Sequence, residues 1–169
     1  VEQLTEPVAA QAADVAAIVQ TSYRYATGID RRDWALYRSV FADVCEYDFS
    51  SWSGRPAAAM PADAWVDAVR SVNGNFDATQ HVMTNHVVGF VDEDTAIGVN
   101  ELQAQHWFSA DTMRSFGRAP EAAWCLLGGH YTNRYVRLDG TWRMDRCQLT
   151  VRWRTGDESI FGLARGRAS

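Results

Sequence analysis

Residues 124–138 (W-C-L-L-G-G-H-Y-T-N-R-Y-V-R-L) and 141–153 (T-W-R-M-D-R-C-Q-L-T-V-R-W) are separated only by Asp139-Gly140. An Asp-Gly pair supplies the positive φ angles that a two-residue hairpin turn demands, so this pattern predicts one long antiparallel hairpin. Two further long strands are predicted at 79–91 and 96–108 around the turn V-D-E-D-T. Strands of this length twist and curl, and Gly98, Gly128 and Gly129 permit sharp bends. Helices precede them. Val15, Ile18, Ser22, Tyr25 and Ile29 recur at helical spacing, with Gly28 as a stop. Asp30 sits in capping position for a second helix bearing Trp34, Tyr37 and Phe41, and Pro61 begins a third. Between them E-Y-D-F (46–49) reads as a short strand and S-W-S-G-R-P as a loop, as does the segment from Ser109 to Pro120. Helices followed by a meander of antiparallel strands are the α+β class. Long strands curled around a helix make a cone-shaped curved sheet, closed by the N-terminal helices around an apolar pocket.

A chain of 169 residues suits one domain; residues 1–10 read as a loose arm and 157–169 as a tail or partial lid. Seven tryptophans, six tyrosines and seven phenylalanines fit an aromatic-lined cavity as well as a dense core. A net charge of −5 with scattered arginines argues against nucleic acid as a partner. Cys45, Cys125 and Cys147 are widely spaced and lack a C-x-x-C pattern, which points to reduced thiols instead of disulfides or zinc. The opening residues carry no basic leader and Asp14 interrupts their apolar part, so neither a signal peptide nor a membrane span is expected, and the default location is cytoplasmic. The four histidines show no metal-binding spacing, and neither a phosphate-binding glycine loop nor a G-x-S-x-G elbow occurs; no metal or cofactor is expected.

The stretch T-Q-H-V-M-T-N-H (79–86) raises a question of direction. In an unbroken strand His81, Met83 and Asn85 share one side and His86 faces the other, unless a bulge intervenes. The same parity groups Tyr131, Asn133 and Tyr135, and places Arg146 with Trp142, Met144 and Gln148. From the residues alone each candidate has a plainer reading. Asp30, with Asp33 three positions on, suits a helix cap. Tyr25, His81 and Tyr131 suit a core, His106 beside Trp107 suits a packed strand, and Arg146 suits a salt bridge at the rim.

Several segments together resemble a known family: G-I-D-R-R-D-W, A-M-P-A-D-A-W-V, T-Q-H, a histidine 25 residues after His81, R-L-D-G-T-W-R-M and the late V-R-W. They are similar to scytalone dehydratase and its relatives in the SnoaL-like, nuclear-transport-factor-2-like superfamily, over about residues 20–161. The resemblance implies a cystatin-like α+β barrel, a homotrimer, and a catalytic pair formed by Asp30 and His81 with His106 as a second pocket histidine. The dehydratase's two water-holding tyrosines are replaced here by Ile29 and Phe49, and its pocket asparagine by Tyr131. Tyr25 matches a catalytic tyrosine of the related bile acid 7α-dehydratase. Arg146 matches a functional arginine of that enzyme and of lindane dehydrochlorinase. At the C-terminus Ile160 and Phe161 align, while Gly156, Asp157 and Glu158 replace aromatic lid positions.

The activity so implied is a cofactor-independent, dehydratase-type elimination on a small cyclic, largely apolar substrate. His81 is the base, Asp30 orients it, and Tyr25, His106, Tyr131 and Arg146 are candidates for protonating or polarising oxygen. Tyr131, Phe49, Trp52, Ile29 and Asn85 would line the substrate. Isomerisation or aldol-type cyclisation would start from the same proton abstraction. A noncatalytic ligand-binding protein, or one like a dioxygenase small subunit, would keep the cone without needing the pair.

Overall fold

The hairpin predicted at Asp139-Gly140 is the spine of the sheet in a computed structural model, which describes residues 11–167. Asp139 and Gly140 adopt φ of 50° and 74°, the left-handed pair that a tight hairpin requires. The elements run α1 (Ala12–Asp30), α2 (Trp34–Ser39), β1 (Phe41–Asp48), α3 (Ser50–Ser53), β2 (Ala58–Pro61) and α4 (Ala62–Asn73). There follow β3 (Ala78–Phe90), β4 (Thr95–Phe108), α5 (Ala110–Ser115), β5 (Ala123–Leu138), β6 (Thr141–Gly156) and α6 (Ile160–Gly166). The class is α+β. Six strands form one sheet in the order β2-β1-β6-β5-β4-β3, with β3 to β6 a continuous antiparallel meander. Two features depart from a plain antiparallel barrel: β1 pairs with β6 in parallel, and the sheet does not close, leaving β2 and β3 as its edges. Helices occupy the open side.

Three places in the meander break the two-residue alternation. Thr84 pairs with Glu101 and Val87 with Val99, so Asn85 and His86 together oppose Asn100. That is a β-bulge, and Asn85 takes the φ of 54° that asparagine tolerates better than most residues. In β6, Met144 pairs with Tyr135 and Arg146 with Arg134, which makes Asp145 an extra residue. Arg152 is extra in the same way opposite Gly128 and Gly129. At Gly128 the ring of Trp153 lies where a Cβ would be, so that glycine admits an aromatic cover over the strand.

The apolar stripe of α1 is buried as its spacing predicts, through Ile18, Ser22, Tyr25 and Ile29. Asp14 and Arg137 anchor the helix start through two bonds of 2.8 and 2.9 Å, and Trp142 Nε1–H donates to the same Asp14. Gly28 does not stop the helix, which runs to Asp30. Its role is close approach: a Cβ there would lie 2.7 Å from the backbone nitrogen of Tyr37. A second apolar cluster of Phe76, Phe108, Cys125, Ile160, Phe161 and neighbours seats α6 against one end of the sheet. The loop predicted at 51–56 overlaps the short helix α3 and that predicted at 109–120 contains α5, the latter capped by Ser109 accepting from Thr112 N–H. Cys45, Cys125 and Cys147 are buried free thiols, and burial pushes Cys45 up to about 12. Among the described residues no helix is long and apolar enough to cross a membrane. The residues read as a loose arm, 1–10, lie outside those described.

The α1–α2 contact makes a direct prediction. Gly28→Ala forces the two backbones apart and should lower the unfolding free energy by about 1–3 kcal/mol, read from the urea midpoint at unchanged slope. An unchanged midpoint would show that the helices do not meet at this glycine.

Candidate active site

The D-R-R-D segment divides its two carboxylates between two tasks. Asp33 is the cap of α2 and accepts Leu36 N–H at 2.9 Å, which corrects the expectation that Asp30 caps that helix. Asp30 is the last residue of α1, and its carboxylate is free to turn toward β3. There it accepts three bonds. The ring Nδ1–H of His81 reaches Oδ1 at 2.7 Å, the backbone N–H of His81 reaches Oδ2 at 2.8 Å, and Thr79 Oγ1–H reaches Oδ1 at 3.0 Å. Arg32, at a strained φ of 60°, buttresses the arrangement. Its guanidinium donates to Thr79 Oγ1 at 2.8 Å, to the Ile29 carbonyl at 2.7 Å and to the Phe76 carbonyl at 3.1 Å.

These donors decide the charge state. Burial opposes ionisation of Asp30, but the bonds from His81 and Thr79 outweigh it and hold the carboxyl below its usual range. An anionic acceptor fixes the proton of His81 on Nδ1, leaving Nε2 as a lone pair without a partner among the described residues, in a ring only 7% exposed on the cavity wall. Geometry permits Nε2 to accept a proton from a molecule in the cavity.

The cavity is about 870 Å3 and lies between the sheet and helices α1, α4 and α6. Its wall includes Ile29, Phe49, Trp52, Trp65, Leu102 and Phe161. Tyr25 and Tyr131 face it with their hydroxyls 2.9 Å apart. Behind them Trp65 Nε1–H donates to Tyr37 Oη at 2.9 Å, and the ring of Tyr37 meets that of Tyr25 edge-on. Burial pushes the phenols of Tyr25 and Tyr131 far above the ordinary range, so both are neutral donors.

His106 also faces the cavity, 5.6 Å centre to centre from the His81 ring and nearly perpendicular to it. Its Nε2 lies 3.0 Å from Asn73 Oδ1, so Nε2–H is the donor and Nδ1 is left buried without a partner among the described residues. Burial first, then the neighbouring His81, lowers its pKa to about 3. The ring is neutral. A neutral ring whose N–H is held by Asn73 is a poor proton source for a leaving hydroxyl, one of the roles for which His106 was a candidate, and the ring packs edge-on beside His81.

Two other expected site residues lie outside the cavity, and both were displaced by bulges. The extra residue Asp145 turns Arg146 outward, where it pairs with Glu46 at 3.0 Å, each side chain 44% exposed. Asn85 lines a separate, smaller depression on the opposite face with Val82, Glu101 and Trp153. The same bulge brings His86 to the helix-facing side, where it meets the ring of Tyr23 instead of the cavity. Ile29, Phe49, Trp52 and Tyr131 do line the cavity, together with Tyr25, His81 and His106.

The cavity also contains residues that the sequence reading missed. Trp65, Val69, Val72 and Asn73 of α4 line it, a stripe at helical spacing that was there to be read. Arg55, Arg154 and Arg165 stand there too, and no local pattern distinguishes them.

The geometry can be set beside known proteins. Residues 10–148 match the SnoaL-like domain. Scytalone dehydratase of Pyricularia oryzae is 26% identical over 151 residues, covering 83% of this chain and 81% of that protein. The crystal structure of the Kfla4162 protein of Kribbella flavida is 32% identical with a TM-score of 0.76, over 90% of this chain and 97% of that one. Hexachlorocyclohexane dehydrochlorinase LinA-type3 of Novosphingobium barchaimii shares the fold at 21% identity and a TM-score of 0.68, over 86% and 91%. With most of its length matched, this chain belongs to the SnoaL-like domain family.

Proposed function

We propose that the protein is a cofactor-independent lyase that eliminates water or another small leaving group from a small cyclic substrate. The observation that carries this reading is the pair of hydrogen bonds that His81 donates, from ring and backbone, to one anionic carboxylate at the cavity wall. Such a clamp sets the tautomer and stabilises the imidazolium, which is what a carbon base near neutrality needs. His81 Nε2 takes the proton from the carbon beside a carbonyl. The electron pair of that C–H bond moves toward the carbonyl oxygen, where one hydroxyl of the Tyr25–Tyr131 pair donates to the developing charge while the other donates to it in turn. The bond to the leaving oxygen then breaks with its electron pair, that oxygen takes the proton back from His81, and the products are water and a double bond. Because His106 is neutral and engaged with Asn73, His81 is the proton carrier in both directions.

That last point favours one alternative. A single imidazole that removes a proton can return it to another carbon, which is isomerisation; the product then keeps the substrate's mass, whereas elimination loses that of water. The names of the scytalone dehydratase relatives support elimination. We place the protein in a homotrimer on the same resemblance, with the exposed Val82, Val87 and Trp153 of the sheet's outer face covered by neighbouring copies.

Hydroxylated cyclic ketones offered to the purified protein test the mechanism. His81→Ala should lower kcat by about 10²–10⁴-fold, and Asp30→Asn should fall by a comparable factor through loss of the tautomer. Wild-type turnover in both variants would refute the assignment. Asp30 also ties pH to stability. Its folded pKa is depressed, so its contribution is present above the ordinary aspartate value of about 4 and is lost as pH falls through the lower folded value. The stability gap between wild type and Asp30→Asn, measured by urea denaturation, should accordingly be full at pH 6 to 7 and shrink on acidification below about 4. A gap independent of pH would show that Asp30 is not held as an anion.

A further inference from the structure

The cavity wall is apolar and aromatic around His81, but its charge is confined to one place. Of the described residues that line it, Arg55, Arg154, Arg165 and Glu158 alone carry full charges. Arg55 follows α3, Arg165 lies in α6, and both side chains belong to exposed residues, which puts them at the mouth. Arg154 is already occupied. Its Nη1 pairs with Glu158 at 3.0 Å, its Nη2 donates to the carbonyls of Ser51 and Trp52, and its guanidinium lies 4.4 Å over the Trp52 ring. It therefore fixes the α3 side of the mouth and spends the only acidic residue of the wall. Neither Arg55 nor Arg165 meets a carboxylate among the described residues. Among the described residues these two positive charges have no carboxylate partner, on a chain whose net charge is −5.

We infer that the mouth is an oxyanion subsite: the molecule that enters carries a carboxylate or phosphate group that Arg55 and Arg165 hold, while its apolar ring body lies inward toward His81. A guanidinium presents a planar fork that fits either oxyanion by paired hydrogen bonds, and two of them can address one group from opposite sides. Solvated surface arginines need no such placement, but these two stand where a bound molecule would leave the apolar part of the cavity. The remaining negative charge of the chain adds direction: an anion repelled elsewhere is drawn to this opening. The inference rests on this cavity being the substrate site and is independent of which reaction His81 promotes.

Three probes that share one ring system separate the possibilities: 2-naphthoate, 2-naphthyl phosphate and the neutral 2-naphthamide, titrated calorimetrically into the whole protein at low salt. At least one charged probe should bind roughly tenfold or more tightly than the amide, and that advantage should fall as salt is raised. Which charged probe wins identifies the oxyanion. In the Arg55→Gln/Arg165→Gln double variant the advantage should shrink to about twofold or less, with the amide's affinity unchanged. Both positions are exposed, and equal melting temperatures of variant and wild type would exclude a folding effect. His81→Ala should retain the charged-probe advantage, so a failed elimination assay and a failed oxyanion subsite give different results. Equal binding of charged and neutral probes, no binding by the charged probes, or an advantage that survives the double substitution would overturn the inference.

Discussion

A carboxylate at the end of one helix takes both the ring and the backbone N–H of one histidine, and the site is arranged around that contact. It fixes three things at once. The position of α1 against the edge strand β3 is set, which also places Tyr25 and Ile29 of the same helix in the cavity wall. The orientation of the imidazole is set because backbone and ring bind opposite oxygens of one group. The tautomer is set because an ionised acceptor requires a proton on Nδ1. Burying a carboxylate is costly unless donors replace water, and here His81 and Thr79 supply them, with Arg32 holding Thr79 in turn.

Around that anion the cavity keeps its other polar groups neutral. Burial holds Tyr25 and Tyr131 as phenols and His106 as an uncharged imidazole, so one group carries mobile protons while the rest donate or wedge. A buried neutral donor is the kind that stabilises charge appearing in a reaction without carrying charge beforehand. Formal positive charge is kept at the mouth, where water still solvates it before a ligand arrives.

Much of this was legible in the sequence because it is written in periodicity. The Asp139-Gly140 turn, the long strands and the stripe of α1 follow from local rules and appear where those rules put them. Parity failed where a strand gains a residue. Asp145 reverses the outlook of Arg146, and the Asn85–His86 bulge sends Asn85 to the far face and His86 to the helix side. Neither bulge has a strong sequence signature; an asparagine at positive φ is visible only in coordinates. The D-R-R-D segment misled differently. Both aspartates suit a cap, and only the length of α1 decides that Asp33 takes that role and Asp30 is spared. The mouth arginines were illegible for a third reason, since they come from the loop after α3, from β6 and from α6, which only the fold assembles.

The most direct test of the central contact is the protonation pattern of the His81 ring, observed by nitrogen-15 NMR at neutral pH and assigned with His81→Gln. The account predicts that the neutral ring carries its proton on Nδ1, with a strongly downfield proton resonance that disappears in Asp30→Asn. A ring protonated on Nε2, or an unchanged spectrum in that variant, would contradict it.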